Sequence, residues 1–430
     1  MTVLIQGGTI IDATGERAAD VLVSDDGTII EVGPDLRGDT VLDATGCVVS
    51  PGFVDLHTHL REPGGEDAET IESGARAAAK GGFTAVVAMP NTDPTVDHAA
   101  VVAEVLERGR TAPCDVHTSG AITVGRRGDD LAPMGEMIAL GVRIFTDDGN
   151  GVQDDRLMRR ALEYASSLRA PSDGGPIVLA QHCEVTSLSA GGHMHEGEWS
   201  SRLGVGGQPA EAEELMVMRD IALSQLTGSR VHFQHLSTAG SVAMVRAAKA
   251  GGLPITAEAA PHHFSLTHEA CATYDTRFKV HPPLRTTSDV EAVRQGLADG
   301  TIDAIATDHA PHVVETKERP FDQAPPGMIG LETALAVALT ELDMPLADIV
   351  GALSWRPAAI AGLDAHGGPV ETLRPANLTV FDPEARWKVP ERGWASRSNN
   401  SPFVGRELRG QVRHTVLHGE PVVIQGEAQR

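Results

Sequence analysis

Short apolar runs alternate with amphipathic stretches through the middle of the chain. The runs lie at 53–57, 83–89, 115–121, 142–146, 176–182, 230–235, 254–259 and 302–307. Several are near-continuous in Val, Ile, Leu, Phe and Ala, as parallel strands buried on both faces require. Between them, 69–80, 99–108, 156–168, 211–226, 241–250 and 288–298 carry helical patterns. The first of these opens on acidic residues and closes on Gly81-Gly82, which suits the positive end and the stop of a helix. Eight such units predict an α/β fold, a (β/α)8 TIM-like barrel.

The two ends are patterned differently. Residues 1–50 hold short alternating runs (VLIQGGTII, VLVSDDGTIIEVG, VLDATGCVVS) punctuated by Asp-Gly at 26–27 and Thr-Gly at 45–46. The style returns in ANLTVFDP (376–383) and HTVLHGEPVV (414–423). The expected organisation is a small β-sandwich built from both chain ends, 1–50 and 369–430, around a metal-dependent barrel at 51–368. The glycine-rich segment 190–209 is the expected lid.

Composition narrows the function. Lys plus Arg total 35 against 59 Asp plus Glu, a net charge of −24, so a nucleic-acid or anionic-membrane partner is not expected. A small anionic substrate needs only one or two local cations. No apolar run reaches the ~18 residues of a membrane span. The first residues, MTVLIQGGTI, do not read as a signal peptide. Four scattered cysteines without a CxxC pair point to a reduced, cytoplasmic protein.

Histidine positions carry more than histidine number, since there are eighteen. Asp55-Leu56-His57-Thr58-His59 closes the first predicted strand. Residues i and i+2 of an extended chain point to one side, so His57 and His59 can face one ion. His182 and His235 close the fifth and sixth strands, Asp308 the eighth, and Asp147-Asp148 the fourth. In a barrel these ends converge. Any one of them alone reads as a core residue with ordinary hydrogen bonds; four histidines and two aspartates together read as a binuclear site. Neutral imidazole suits Zn²⁺, so two Zn²⁺ per chain are expected. Two ions about 3.5–4 Å apart can hold a hydroxide and polarise a carbonyl. Asp308, beside the bridging position, is the natural base and can return the proton to a leaving nitrogen. The chemistry is metal-assisted hydrolysis of an amide, ideally a ring amide.

Other residues suit substrate. The Arg61 fork matches a carboxylate, against a bland reading as a surface ion pair. Asn91 can read a polar ring edge, against a reading as a turn residue. His312 can donate to an anion, and His281 opens a rigid Pro-Pro segment. His262, His263 and His309 are assigned to packing or supporting hydrogen bonds.

PGFVDLHTHLREPG (51–64), FTDDG (145–149), AQHCE (180–184), TAEAAPHH (256–263), HPPLR (281–285) and ATDHAPH (306–312) together resemble the bacterial dihydroorotases of the amidohydrolase superfamily, over almost the whole chain. The resemblance implies a zinc enzyme that interconverts N-carbamoyl-L-aspartate and dihydroorotate in pyrimidine biosynthesis. It implies His57, His59 and Asp308 on one zinc, His182 and His235 on the other, and Asp148 as the bridge, with Asp147 one position away. It implies Asp308 as base, and Arg61, Asn91, His312 and the backbone of Pro326-Gly327 on substrate. Related dihydropyrimidinases, hydantoinases and allantoinases commonly bridge with a carboxylated lysine from the fourth strand. The five lysines here are Lys80, Lys249, Lys279, Lys317 and Lys388, none of them there. The family usually carries Asn where this chain has His281, and Asn and His differ in what they donate and accept. The competing readings are an allantoinase- or hydantoinase-like hydrolase, and a non-catalytic homologue partnering aspartate transcarbamoylase. A homodimer and a transcarbamoylase association are both left open.

Overall fold

The strand that carries the first histidine pair, β1 (Phe53–Thr58), is buried at every residue. It pairs in parallel with β2 (Phe83–Ala88), which pairs in parallel with β3 (Asp115–Thr118) on its other side. A second parallel sheet runs in order through β4 (Ile144–Phe145), β5 (Val178–Gln181), β6 (Val231–Phe233), β7 (Ile255–Ala259) and β8 (Ala304–Ile305). Single parallel bridges join the two sheets at both ends, Gly120 with Phe145 and Thr58 with His309. The pairing therefore runs round a closed circuit. The structure, a computed structural model, describes residues 1–171 and 174–430.

All eight predicted runs become strands, but several are shorter than their apolar patterns. The run at 142–146 yields only Ile144–Phe145, and the run at 302–307 only Ala304–Ile305. The residues beyond, such as Thr146 and Thr307, are buried but spend their side chains on Gln234 and Asp55. Helices follow the expected spans within a few residues. Ile71–Lys80 starts at Thr70, whose hydroxyl accepts from Ser73 N, and buries Ile71, Ala75 and Ala78 on one stripe. Glu69, just before it, is buried and receives Arg397 N at 3.1 Å, together with the hydroxyls of Ser73 and Ser396. One acidic residue thereby ties the first helix to the returning C-terminal segment.

The chain ends pair with each other. Leu378–Lys388 runs antiparallel to Val48–Pro51, with Val380 opposite Val49, inside a seven-stranded sheet. A four-stranded sheet is built wholly from Val3–Gln6, Asp20–Val23, Ile29–Gly33 and Thr40–Asp43. Val3, Val21 and Leu42 of this sheet share one apolar cluster with Ile10, Val380 and Val416 of the other. The segment 190–209, expected as a lid, has structure of its own: Met194–His195 pairs parallel with Gly207–Gln208 around the helix Glu198–Leu203. Among the described residues no helix is long and apolar enough to cross a membrane.

Asp55 locks the first and last strands together beneath the site. Its fully buried carboxylate accepts from Thr307 N at 2.9 Å, Thr307 Oγ1 at 2.5 Å, Thr58 Oγ1 at 2.6 Å and His57 N at 3.2 Å. Removing it strands several buried donors. Asp55→Ala is expected to cost about 3–5 kcal/mol, seen as a lower urea midpoint at unchanged slope.

Candidate active site

The strand ends bring six of the expected residues to one place. His57 and His59 come from the end of β1 and just beyond it, Asp148 from beyond β4, His182 and His235 from beyond β5 and β6, and Asp308 from beyond β8. All six are buried. His57 Nε2 lies 3.2 Å from Asp148 Oδ1 and 3.6 Å from Asp308 Oδ1. His59 Nε2 lies 3.0 Å from Asp308 Oδ1 and 3.7 Å from Asp148 Oδ2. His182 Nδ1 is 3.0 Å from His235 Nε2 and 3.6 Å from Asp148 Oδ1. Two overlapping sets have metal-ligand spacing: His57, His59 and Asp308, and His57, Asp148 and His235. His182 flanks the second.

Asp147 and Asp148 divide cleanly. Asp147 turns away and accepts from Ile122 N at 2.9 Å, Thr123 N at 3.0 Å and the Thr123 hydroxyl. Asp148 faces the histidines. Strained backbone helps aim the site: Arg61, His235 and Asp308 sit at φ of 62°, 30° and 47°, a region non-glycine residues avoid.

The outer nitrogens are committed to acceptors. His57 Nδ1 is 2.8 Å from Glu258 Oε1. Burial opposes charge on Glu258, yet His232 and His57 hold it down at about 2, so it is an ionised acceptor. His57 Nδ1 therefore donates; burial opposes charge on the ring, but Asp148, Glu258 and Asp308 raise its pKa well above the usual imidazole range, so a bound cation would take the place of a proton at Nε2. That Nε2 is buried and makes no hydrogen bond. His59 Nδ1 meets Asn91 Oδ1 at 3.0 Å while Asn91 Nδ2 donates to Asp148 Oδ2 at 3.1 Å. His59 Nδ1 thus donates outward, and its Nε2 faces Asp308 Oδ1 at 3.0 Å. On the other side Glu184 accepts from His182 Nε2 at 3.3 Å. Imidazoles and carboxylates converging at 3–4 Å need positive charge among them, and this mix of nitrogen and oxygen donors fits divalent cations in place of protons. Burial disfavours ionised Asp148 and Asp308, but the surrounding imidazoles hold both below the usual carboxylate range.

The cluster floors a cavity of about 180 Å³, whose wall includes Arg61, Asn91, His281, His312, Pro326 and Gly327. Arg61 donates Nε–H to Pro311 O at 3.1 Å and, among the described residues, has no carboxylate paired with it. Burial brings it to about 10 while Asp308, Asp148 and Glu69 pull it up, so it is a cation at neutral pH. His312 donates from Nε2 to Pro326 O at 2.7 Å. Gly327, at φ 131°, has no room for a side chain: a Cβ would sit 2.7 Å from Ala310 Cβ and 2.8 Å from His312 Nε2.

Sequence reasoning missed Glu258 and Glu184 and underrated His262. His262 Nε2 is buried without a partner, 4.0 Å from Asp308 Oδ2. The signal for Glu258 was available: in 255–259 it is the one charged residue of a buried strand, and such a residue needs a partner.

A family model described as dihydro-orotase-like matches residues 46–241. The chain is 48% identical to a dihydroorotase of Pelotomaculum thermopropionicum, covering 98% of this chain and 99% of that one. It is 49% identical to a dihydroorotase of Streptomyces coelicolor, with 99% of each chain covered. The chain belongs to the dihydroorotase family. An L-hydantoinase (dihydropyrimidinase) from Arthrobacter aurescens shares the fold, with a TM-score of 0.87 at 24% identity, covering 100% of this chain and 97% of that one. A D-hydantoinase from Thermus sp. aligns at 0.84 and 25%, covering 99% and 96%. Both share the chain's α/β fold, and membership of the dihydroorotase family, at 48% and 49% identity, makes the chain a cyclic amidohydrolase.

Glu258 orients His57 by a carboxylate–imidazole contact, so Glu258→Gln is expected to weaken metal retention about 10–100-fold, read by competition with a chelator.

Proposed function

We propose that this chain is a dihydroorotase, catalysing the reversible cyclisation of N-carbamoyl-L-aspartate to (S)-dihydroorotate in pyrimidine biosynthesis. The observation that carries the reading is Arg61, a cation without a carboxylate partner among the described residues, on the wall of the cavity floored by the histidine–aspartate cluster. A neutral ring such as hydantoin offers it only carbonyl oxygens; the carboxylate of dihydroorotate offers a charge and a matching fork.

The closed strand circuit supports a (β/α)8 barrel over residues 51–368. The apolar cluster shared by the two outer sheets supports a β-sandwich made from 1–50 and 369–430. Four free, buried cysteines suit a cytoplasmic enzyme.

In this reading two Zn²⁺ would be held by His57, His59 and Asp308 and by His182 and His235, with Asp148 serving both. Such ions would supply Lewis acidity to the amide carbonyl and bring the pKa of water towards neutrality. Asp308 does the proton work. It is held ionised at the edge of the cavity, so in the hydrolytic direction it takes the proton of the attacking water. It then returns that proton to the ring nitrogen as the C–N bond breaks. Cyclisation runs the same path backwards. Arg61 clamps the substrate carboxylate, and His312 steadies the Pro326-Gly327 backbone against the ring. Asn91, spent on His59 and Asp148, retains one N–H and one lone pair for the ligand. Asp148 in place of a fourth-strand lysine fits the dihydroorotase reading over an allantoinase or hydantoinase.

The test is a parallel assay of dihydroorotate, carbamoyl-aspartate, hydantoin and allantoin with metal analysis of the same sample. Turnover confined to the first two is expected, with up to two zinc ions per chain. Equal or better turnover of hydantoin or allantoin would overturn the reading, as would full activity of metal-free protein. Arg61→Met is expected to weaken carbamoyl-aspartate binding by about 2–5 kcal/mol; an unchanged apparent affinity removes it from the site. Asp308→Asn is expected to nearly abolish turnover, and near-normal turnover would leave the base elsewhere.

A further inference from the structure

Gln208 belongs to the strand pair that organises residues 190–209, and it is buried. Its side-chain nitrogen lies 3.2 Å from Gly192 O and 3.1 Å from His281 Nε2. A backbone carbonyl can only accept, so the amide presents its nitrogen on this side. An amide nitrogen can only donate, so His281 Nε2 is the acceptor. A neutral imidazole with an acceptor at Nε2 carries its proton on Nδ1. Burial keeps the ring neutral, lowering it to about 4. Nδ1 has no hydrogen-bond partner among the described residues and is not among the buried atoms sealed from solvent. His281 itself lines the cavity.

The amide is held firmly. At Gly192 a Cβ would fall 2.4 Å from Gln208 Cγ, so only glycine lets the two approach. The main-chain oxygen of Gln208 accepts from Arg285 Nη1 at 3.0 Å, and the same nitrogen lies 3.1 Å from His195 Nδ1 across the strand pair. Arg285 closes the HPPLR segment that His281 opens. One segment therefore grips Gln208 at both its backbone and its side chain.

We propose that Gln208 is a positioning residue that fixes His281 as the Nδ1–H tautomer, so that the ring offers the ligand a hydrogen-bond donor and never an acceptor. This rests on the dihydroorotase reading only for what it meets, a carbonyl or carboxylate oxygen of the substrate. A side-chain amide at 281 could turn either edge to the ligand; the locked imidazole cannot, and it selects an oxygen there over an N–H.

The tautomer is read first in purified, substrate-free protein. Long-range proton–nitrogen correlation spectra of ¹⁵N-histidine-labelled enzyme are recorded, with the His281 signals assigned by their loss in His281→Asn. A protonated Nδ1 with a bare Nε2 is expected; a protonated Nε2 overturns the proposal. Gln208→Met, which keeps the length and removes the donor, is expected to lose that single-tautomer pattern. It should raise KM for dihydroorotate about tenfold with kcat within about threefold. In a His281→Ala background the same change should move KM by less than about twofold. An equal KM penalty in both backgrounds would make Gln208 a packing residue of the loop and overturn the proposal. If Gln208→Met does not fold, the wild-type spectrum decides alone. The spectrum needs no substrate, so a failed dihydroorotase assay leaves it standing, and a wrong tautomer leaves the substrate assay untouched.

Discussion

The site depends on carboxylates and imidazoles crowded together, with the outer nitrogens of three rings already committed to oxygens. His57, His59 and His182 each have one ring nitrogen turned outward to an oxygen, on Glu258, Asn91 and Glu184 in turn. Each outward contact fixes that nitrogen as a donor and leaves the inward one to a proton or a metal. Those inward nitrogens face Asp148 and Asp308, themselves ionised. Such a cluster is stabilised by positive charge, protons on its imidazoles or divalent cations in their place, and its burial leaves water little part in screening. Affinity for metal is thus written in residues that do not touch it.

Holding that arrangement falls to the backbone. Asp55 welds the first strand to the last, and Asp147 takes three donors from the loop after β3. Both are carboxylates spent wholly on structure, one or two residues away from a carboxylate or imidazole spent on chemistry. The sharp turns at Asp308 and His235 cost energy locally. The dense bonding around them is what makes those conformations persist, and it turns the side chains inward where a regular strand would carry them past the opening.

Much of this was legible in the residues, and the exceptions have physical causes. Strand existence followed from apolar runs, and helix positions from their stripes and caps. Strand lengths did not, because Thr146 and Thr307 look like strand residues yet leave the ladder to serve side-chain bonds. The histidines at strand ends were recognisable because topology alone gathers them. Asp147 and Asp148 could not be told apart, since both follow β4 and only the turn decides which points in. Glu258 lies mid-strand, far in sequence from His57, and its partnership exists only once β7 is brought across from β1. Gln208 is harder still: its role appears only when a loop folds over the Pro-Pro segment.

Fold and substrate are separable here. Hydantoinases with about a quarter of their residues in common have nearly the same backbone, so the architecture supplies a place for hydrolysis and no choice of ring. Choice must come from the cavity wall, and on this wall the charge is asymmetric. The floor is acidic and imidazole-rich, the protein as a whole carries −24, and Arg61 is a cation on the cavity wall that has no acidic partner among the described residues. An anionic substrate would be repelled by the protein at long range and held by one residue at short range. Solvent ions screen the first effect within about 8–10 Å, while the second acts inside the cavity where screening is weak. In the proposed reading, recognition of a carboxylate by this acidic protein is therefore local, and it would concentrate discrimination between charged and neutral rings on a single side chain.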